Sequence, residues 1–188
     1  MTTRVWIETA RLILKTVTME DVEDVALNWK LDAPPISREE AETQVVWMLA
    51  NHKQNVPGKI LHLCLAITHK DTREFIGWCG LDHLDQTKAS PVLFYLLKAS
   101  YWGKGLATEA VKAVFGYAFG ELNLPRIDSG AAFENHASKR VMEKIGMKPI
   151  GLDEEGGYTF MLTREEYWSA CERHSESHLP GSSKLTGR

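Results

Sequence analysis

The chain has 188 residues, of which 44% are hydrophobic and 25% are charged, and its formal net charge is −3. This length suits one domain, and the composition is typical of a folded globular protein rather than a disordered chain. The negative charge argues against a nucleic-acid partner, and no apolar run approaches the ~20 residues that a membrane span requires.

The cysteines and histidines argue against a disulfide framework and against a metal site. The three cysteines, Cys64, Cys79 and Cys171, are widely spaced, and the seven histidines include no HExxH motif. The first residues also lack the apolar core of a secretory signal. We therefore expect reduced thiols, no bound metal and a cytoplasmic protein.

The first half of the chain alternates between strand and helix patterns. A strand is predicted over Thr9–Val17, and Thr18 is placed to cap a helix over Met19–Asn28. The capping-box pattern that starts at Ser37 opens a second helix, which is predicted to end at Asn51. Three apolar segments then predict strands over Leu61–Thr68, Glu74–Leu84 and Pro91–Lys98.

The second half continues the alternation and ends in a polar segment. The predicted elements are a helix over Gly105–Phe119, a strand over Arg126–Phe133, a helix over Ala137–Ile145, strands around Ile150 and over Tyr158–Leu162, and a last helix capped by Thr163. We therefore expect one mixed α/β domain over residues 1–173. The sequence HSESHLPGSSKLTGR predicts a mobile tail over residues 174–188.

The segment WGKGLATEA, which starts at Trp102, lies between a predicted strand and a predicted helix. Glycines at a helix N-terminus allow several backbone N–H groups to approach a phosphate. The alternative interpretation is that Gly103 and Gly105 only make the turn between strand and helix. The P-loop pattern GxxxxGK[ST] is absent, and the third glycine of a dinucleotide fingerprint is missing. What remains is a phosphate site of another kind.

A second segment, ENHASKRVMEKIGM, starts at Glu134 and narrows the choice. Together the two segments resemble the GNAT superfamily of N-acetyltransferases, in its branch of ribosomal-protein N-terminal acetyltransferases. WGKGLA matches the [QR]xxGx[GA] loop of that superfamily, with Trp102 in the Gln/Arg place. The other matching residues are Thr108, Glu109, Ala110, Asn135, Ser138, Glu143, Lys144 and Gly146. The resemblance extends from residue 9 to about residue 172.

This resemblance implies a fold, a co-substrate and an activity. The implied fold is a central mixed, mostly antiparallel sheet flanked by helices, and the implied co-substrate is acetyl-CoA. The acetyl group would pass to a primary amine, either a protein N-terminal α-amine or a small-molecule amine. The alternative is a catalytically weak coenzyme A-binding module on the same fold. Exposed edge strands in such a domain make a homodimer plausible.

The resemblance also implies which residues contact coenzyme A. They are Leu96, Leu97, Trp102, Gly103, Lys104, Gly105, Leu106, Ala107, Thr108, Asn135 and Ser138. The pantetheine arm would pair with the strand Leu93–Leu97, whose apolar run predicts burial on both faces. Asn135 would cap the helix, contact the ligand or do both. Ser138 is either the hydrogen-bond donor to the departing thiolate or an ordinary first-turn serine. Lys139 and Arg140 are predicted to form a solvated helix face.

The sequence offers three candidates for the general base and does not single one out. Relatives in this branch often carry Glu on the strand before the loop, and that position is Val92 here. His83 has a suitable intrinsic pKa but is equally typical of a surface turn. Glu134 lies at a predicted strand end, where it is either a candidate base or a charge that complements the N-terminus of the next helix. Tyr95 would either orient the acetyl group or pack the strand.

Overall fold

An eight-stranded sheet forms the centre of the structure, a computed structural model that describes residues 4–176. The strands described are β1 Trp6–Glu8, β2 Leu12–Thr16, β3 His62–His69, β4 Phe75–Asp82, β5 Val92–Leu97, β6 Arg126–Ala131, β7 Lys148–Leu152 and β8 Tyr158–Thr163. Their spatial order is β1-β2-β3-β4-β5-β6-β8-β7. All neighbours are antiparallel except β5 and β6, which confirms the predicted mixed, mostly antiparallel sheet.

Five α-helices accompany the described part of the sheet. They are α1 Val22–Asn28, α2 Arg38–His52, α3 Leu106–Gly120, α4 His136–Lys144 and α5 Arg164–Glu176. The last helix reaches three residues into the predicted tail, and residues 177–188 of that tail lie outside the described residues. Ser37 and Glu40 form the predicted capping box of α2, and Thr163 caps α5 as predicted.

The two faces of the sheet carry two separate hydrophobic clusters, because successive strand residues point to opposite sides. In β3, Leu63 and Leu65 pack with the buried face of α3, whereas Ala66 packs with α1 and α2. Both clusters contain side chains that are almost completely removed from water. The sheet is therefore covered by α1 and α2 on one side and by α3 on the other.

The N-terminal strand prediction was partly wrong. The segment predicted as one strand over Thr9–Val17 contains only β2, and β1 precedes it as the other half of a hairpin. The Thr9 hydroxyl both donates to the Leu12 carbonyl and accepts from the Leu12 amide, and these bonds close the turn. A three-residue strand with mostly exposed side chains offers no alternating pattern that sequence reasoning could detect.

Cys64 and Cys79 lie in β3 and β4, as the apolar segments predicted. Burial raises the pKa of the Cys64 thiol to about 12, so this thiol is protonated at neutral pH. Within residues 4–176, no helix has both the length and the apolar character needed to cross a membrane. The same part of the chain contains no group of three or more His, Cys, Asp or Glu side chains placed to hold a metal ion.

Candidate active site

The parallel strands β5 and β6 touch at one end and then diverge. Val92 and Asp128 are the paired residues, and the Asp128 amide donates to the Pro91 carbonyl at 2.9 Å. Beyond that point, the edge of β5 that faces β6 has no strand partner among the described residues. The divergence opens a cavity of about 430 Å³ between β5, the N-terminus of α3 and α4. We call it the interstrand cavity.

Nearly all of the residues predicted to contact coenzyme A line the interstrand cavity. They are Leu96, Leu97, Trp102, Gly103, Gly105, Leu106, Ala107, Thr108, Asn135 and Ser138. The exception is Lys104, whose ammonium lies 4.9 Å from the centre of the Tyr101 ring. The structure therefore brings together two segments that are about thirty residues apart in the sequence.

The turn before α3 depends on its two glycines. Gly103 and Gly105 have φ values of +72° and +76°, in the left-handed region that residues with a Cβ rarely adopt. A Cβ added to Gly103 would meet no atom within 4 Å, so this position is open space. Gly105 is the N-cap of the 15-residue α3, whose first N–H groups and dipole favour an anion at this end.

Arg11 and Glu109 hold this turn against β2. The Arg11 guanidinium donates to the Lys104 carbonyl at 3.0 Å and forms an ion pair with Glu109 at 2.7 Å. Glu109 also accepts from the Thr9 hydroxyl at 2.6 Å. Burial opposes ionisation of Glu109, but the hydrogen bonds from Thr9 and Arg11 outweigh it and lower the pKa. Sequence reasoning missed Arg11, because its partners are more than ninety residues away.

Asn135 and Ser138 meet Tyr95 across the interstrand cavity. The Asn135 side chain accepts from the Ser138 amide at 3.0 Å, so it caps α4 while lining the cavity. The Tyr95 hydroxyl is buried, and no described residue satisfies the geometry of a hydrogen bond to it. Burial raises the pKa of Tyr95, and the nearby Ser138 side chain offsets part of that rise. A buried hydroxyl without a partner is a feature that a ligand can satisfy.

Two of the candidate bases lie outside the interstrand cavity. His83 is in the loop after β4, where its Nε2 lies 3.0 Å from the Lys88 carbonyl oxygen. Glu134 is exposed in the turn before α4, where its carbonyl accepts from the His136 amide. Neither side chain lines the cavity in which Tyr95 and Ser138 meet.

Positive charge reaches the interstrand cavity from α4. Arg140 and Lys144 both line it, and their spacing of four residues places them on one helix face. The prediction of a solvated face at Lys139 and Arg140 was therefore incomplete. Lys139 lies 4.4 Å from the centre of the Tyr158 ring, whereas Arg140 points toward the cavity.

Residues 11–148 match the acetyltransferase (GNAT) domain family, which is well over half of the chain. The chain belongs to the GNAT family. It is therefore an acetyl-CoA-dependent N-acetyltransferase, as the sequence resemblance implied.

Relatives and solved structures agree with the family assignment. This GNAT chain is 27% identical over 175 residues to the uncharacterized N-acetyltransferase p20 of Bacillus licheniformis, covering 85% of this chain and 96% of the relative. The ribosomal-protein-S5-alanine acetyltransferase of Vibrio fischeri has a similar fold, with a TM-score of 0.71, 19% identity and coverage of 87% and 98%. A ribosomal L7/L12 alpha-N-protein acetyltransferase in complex with coenzyme A has a TM-score of 0.69, 15% identity and coverage of 86% and 99%.

This GNAT fold carries a second cavity on the opposite face of the sheet. It has a volume of about 540 Å³ and lies between α1, α2 and the strands β3 to β5. Its walls are mainly aromatic: Trp29, Trp47, His62, Trp78 and Phe94, with Leu96 at the strand. We call it the aromatic cavity. Leu96 lines both cavities, so β5 is the partition between them.

The position of β5 between two cavities corrects the prediction that this strand is buried on both faces. Leu93 and Leu97 are buried, but Leu96 is 59% exposed, and Phe94 and Tyr95 are only partly covered. An apolar run cannot by itself distinguish a strand inside a core from one that lines two cavities. Both need apolar side chains on both faces.

His62 lines the aromatic cavity, and sequence reasoning did not single it out. Its side chain is 10% exposed, its Nδ1 has no hydrogen-bond partner among the described residues, and the nearest Asp82 oxygen is 3.9 Å away. Burial lowers the pKa of His62, and the Asp82 carboxylate offsets part of that shift. The ring stacks on Phe94 with a centroid distance of 5.8 Å. No local motif marks this histidine, because it is one residue in an apolar strand.

Proposed function

We propose that this enzyme transfers the acetyl group of acetyl-CoA directly to a primary amine, which is a protein N-terminal α-amine or a small-molecule amine. The observation that carries the proposal is the interstrand cavity, where an unpaired strand edge, an anion-binding helix end and a buried hydroxyl converge. The residues of this cavity fit acetyl-CoA, and each part of the molecule finds a chemically suitable partner.

The N-terminus of α3 would hold the pyrophosphate. The left-handed turn at Gly103 and Gly105 leaves the first N–H groups of α3 accessible, and anions bind favourably at such helix ends. Arg140 and Lys144 would add compensating charge from the opposite wall. The free edge of β5 offers backbone groups to the amide-rich pantetheine arm.

The Ser138 and Tyr95 hydroxyls would act at the sulfur end. Both face the interstrand cavity, and the Tyr95 hydroxyl lacks a partner among the described residues. A hydroxyl that donates to the sulfur stabilises the negative charge that develops there as the C–S bond breaks. Neither hydroxyl is a strong acid, so their contribution is donation and relay of a proton from solvent.

The protonation state of the acceptor decides how much help the amine needs. An α-amine with a pKa near 8 is roughly one-fifth neutral at pH 7.4, whereas a lysine amine with a pKa of about 10.4 is roughly one part in a thousand neutral. Val92 stands where relatives often carry Glu, so this chain lacks a carboxylate at that position. An α-amine or another weakly basic amine is therefore the better acceptor for this site.

A panel assay tests this function. Release of coenzyme A thiol would be measured with acetyl-CoA and a panel of short peptides, small monoamines and polyamines, with product masses read by mass spectrometry. We expect acetylation of at least one primary amine, together with a rise of the thermal midpoint in acetyl-CoA. A thermal shift without acetylation of any amine would instead favour the coenzyme A-binding module. No thermal shift at millimolar acetyl-CoA would contradict both.

A further inference from the structure

The aromatic cavity has a composition that selects among amines. None of the described residues that line it carries a formal charge at neutral pH, apart from the titratable ring of His62. Its polar members, such as Thr43 and Gln44, are neutral. A polyamine would have to bury further ammonium groups here without a carboxylate to pair them, which is unfavourable. The cavity is suited to an apolar or aromatic group.

The position of the aromatic cavity connects it with the transfer reaction. Phe94 and Leu96 line it from one face of β5, and Tyr95 lies between them on the opposite face, in the interstrand cavity. An amine whose side chain occupies the aromatic cavity can therefore place its nitrogen at β5, next to the interstrand cavity.

Among the described residues that line this cavity, His62 alone has a side chain suited to exchange a proton near neutral pH. The other titratable side chain in the lining is Cys64, and burial raises the pKa of its thiol to about 12. The charged or titratable groups that act on His62 are Asp82 from β4 and His52 from the end of α2. Trp47 from α2 and Phe94 from β5 contact the ring and carry no charge.

We propose that the aromatic cavity binds the apolar or aromatic side chain of the acceptor, and that His62 accepts the proton that the amine loses. This inference rests on the proposed function and narrows its acceptor class. The Asp82 carboxylate, 3.9 Å from Nδ1, favours the tautomer that carries its proton on Nδ1, and this tautomer leaves the lone pair of Nε2 for the amine.

The proton and electron balance is complete. The amine nitrogen forms a bond to the acetyl carbon, the C–S bond breaks, and the sulfur keeps the electron pair. His62 takes one proton from the nitrogen and later returns it to solvent. The sulfur receives one proton from the Ser138 and Tyr95 side, which solvent restores. One acetyl-CoA and one amine thus give one N-acetylated amine and one coenzyme A thiol.

Acceptor selectivity tests the aromatic cavity. We expect kcat/KM, expressed per neutral amine, to be about tenfold or more higher for 2-phenylethylamine than for ethylamine and for spermidine, since an aromatic group is buried only in the first case. Trp47→Ala should reduce this preference about tenfold. Trp6→Ala is the matched control, because Trp47 and Trp6 are 40% and 51% exposed but Trp6 lies on β1, outside the cavity.

Two variants test the proton acceptor. His62→Gln should lower kcat/KM for 2-phenylethylamine by roughly 10²-fold, the lower end of general-base effects. It should also remove from the pH profile the fall in rate at low pH that protonation of His62 causes. The thermal shift with acetyl-CoA should remain, which shows that the variant is folded. His83→Gln tests the other candidate: a larger loss in this variant than in His62→Gln would overturn the assignment.

Two readouts do not require turnover. NMR titration of the His62 ring in the free protein should give a pKa below the ordinary 6.5. 2-Phenylethylamine should change the tryptophan fluorescence of wild type, and Trp47→Ala should need about tenfold more of it for the same fractional change, because Trp29 and Trp78 still line the cavity in this variant. Spermidine should cause no such change. A fluorescence change without acetylation of any amine would contradict the proposed function and leave the binding site intact. Acetylation with spermidine as the preferred acceptor, or a preference unchanged by Trp47→Ala, would overturn the inference.

Discussion

Ser138 lines the interstrand cavity near the buried Tyr95 hydroxyl, for which the described part of the chain offers no hydrogen-bond partner of acceptable geometry. We expect Ser138→Ala to lower kcat by up to about 10²-fold, below the usual oxyanion-donor effect because a thiolate needs less help. Acetyl-CoA affinity should change little, since the interaction strengthens only as charge develops on the sulfur. Steady-state kinetics and calorimetric binding separate the two effects.

Asn135→Ala is the control for this prediction. Asn135 caps α4 through the Ser138 amide, so its loss should lower helix stability and acetyl-CoA affinity as well as rate. If Ser138→Ala turns over normally, the thiolate takes its proton from Tyr95 or water instead, and Ser138 is only a first-turn serine.

Among single residues, those that belong to short sequence motifs could be predicted as parts of the candidate site. The glycine turn and the Asn135–Ser138 pair form short motifs, and the structure places both motifs on one cavity. Arg11 and His62 were not predicted, because each becomes important only when distant strands come together. The pairing of the strands relates His62 to the predicted base position. His62 of β3 pairs with Asp82 of β4, and Asp82 pairs with Val92 of β5, the position where relatives often carry Glu.

Among the secondary-structure elements, α3 is the one whose N-terminal turn is proposed to bind the pyrophosphate of acetyl-CoA. Replacing both Gly103 and Gly105 by Val should abolish the acetyl-CoA thermal shift while the chain still folds. Each substitution forces a β-branched residue into left-handed backbone, at a cost of roughly 1–2 kcal/mol per residue. The added side chain at Gly103 would also project into the open space of the turn.

The matched control is the double substitution of Gly58 and Gly156 by Val. These glycines have φ values of +82° and +84°, and a Cβ on either would meet no atom within 4 Å. The control variant should lose comparable stability yet keep the acetyl-CoA shift, because neither glycine lines the interstrand cavity. Loss of the shift in both variants would show that general strain, not the binding turn, is responsible.

The ion pair between Arg11, which directly precedes β2, and Glu109 of α3 should make the free energy of unfolding depend on pH in the acid range. The folded protein lowers the pKa of Glu109 below its ordinary 4.5, so ionised Glu109 stabilises the fold above that pH. This stabilisation is lost as the pH falls through the folded-state pKa. We expect wild type to lose more unfolding free energy between pH 6 and pH 3.5 than Glu109→Gln, as measured by urea denaturation.

Glu121→Gln provides the comparison, because this exposed carboxylate lies at the opposite end of α3. The variant should show the wild-type acid dependence. An acid dependence that is the same in wild type and Glu109→Gln would mean that the pair contributes no net stability.

The elements themselves were largely predictable from sequence, and the exceptions have physical causes. Capping at Ser37 and Thr163 involves residues three apart, so sequence spacing captures it. The helix predicted from Met19 instead begins with a 3₁₀ turn over Met19–Asp21 before α1. The β1 hairpin also escaped prediction, since three residues give too little pattern.

For the whole molecule, we expect residues 177–188 to be dispensable. The buried residues of both hydrophobic clusters all lie between Val5 and Leu162, so the fold has a core without this segment. A chain that ends at Glu176 should keep the wild-type thermal midpoint within a few degrees and the full acetyl-CoA shift, as measured by differential scanning calorimetry. A large fall in the midpoint would show that the segment packs on the domain.

Self-association is a second property of the whole molecule. The outermost strands of the sheet are β1 and β7, and every residue of β7 is exposed. Such edges can pair with another chain, so a homodimer remains a prediction, which sedimentation velocity would test.

The placement of two cavities on opposite faces of β5 has a consequence for kinetic order. With the amine in the aromatic cavity and acetyl-CoA in the interstrand cavity, both substrates can be bound at once. The protonated Cys64 thiol is poorly suited to carry an acyl group between them. Initial-velocity plots against both substrates should therefore intersect rather than run parallel. Either substrate should be able to bind first, and the acetylated amine can depart while coenzyme A is still in place.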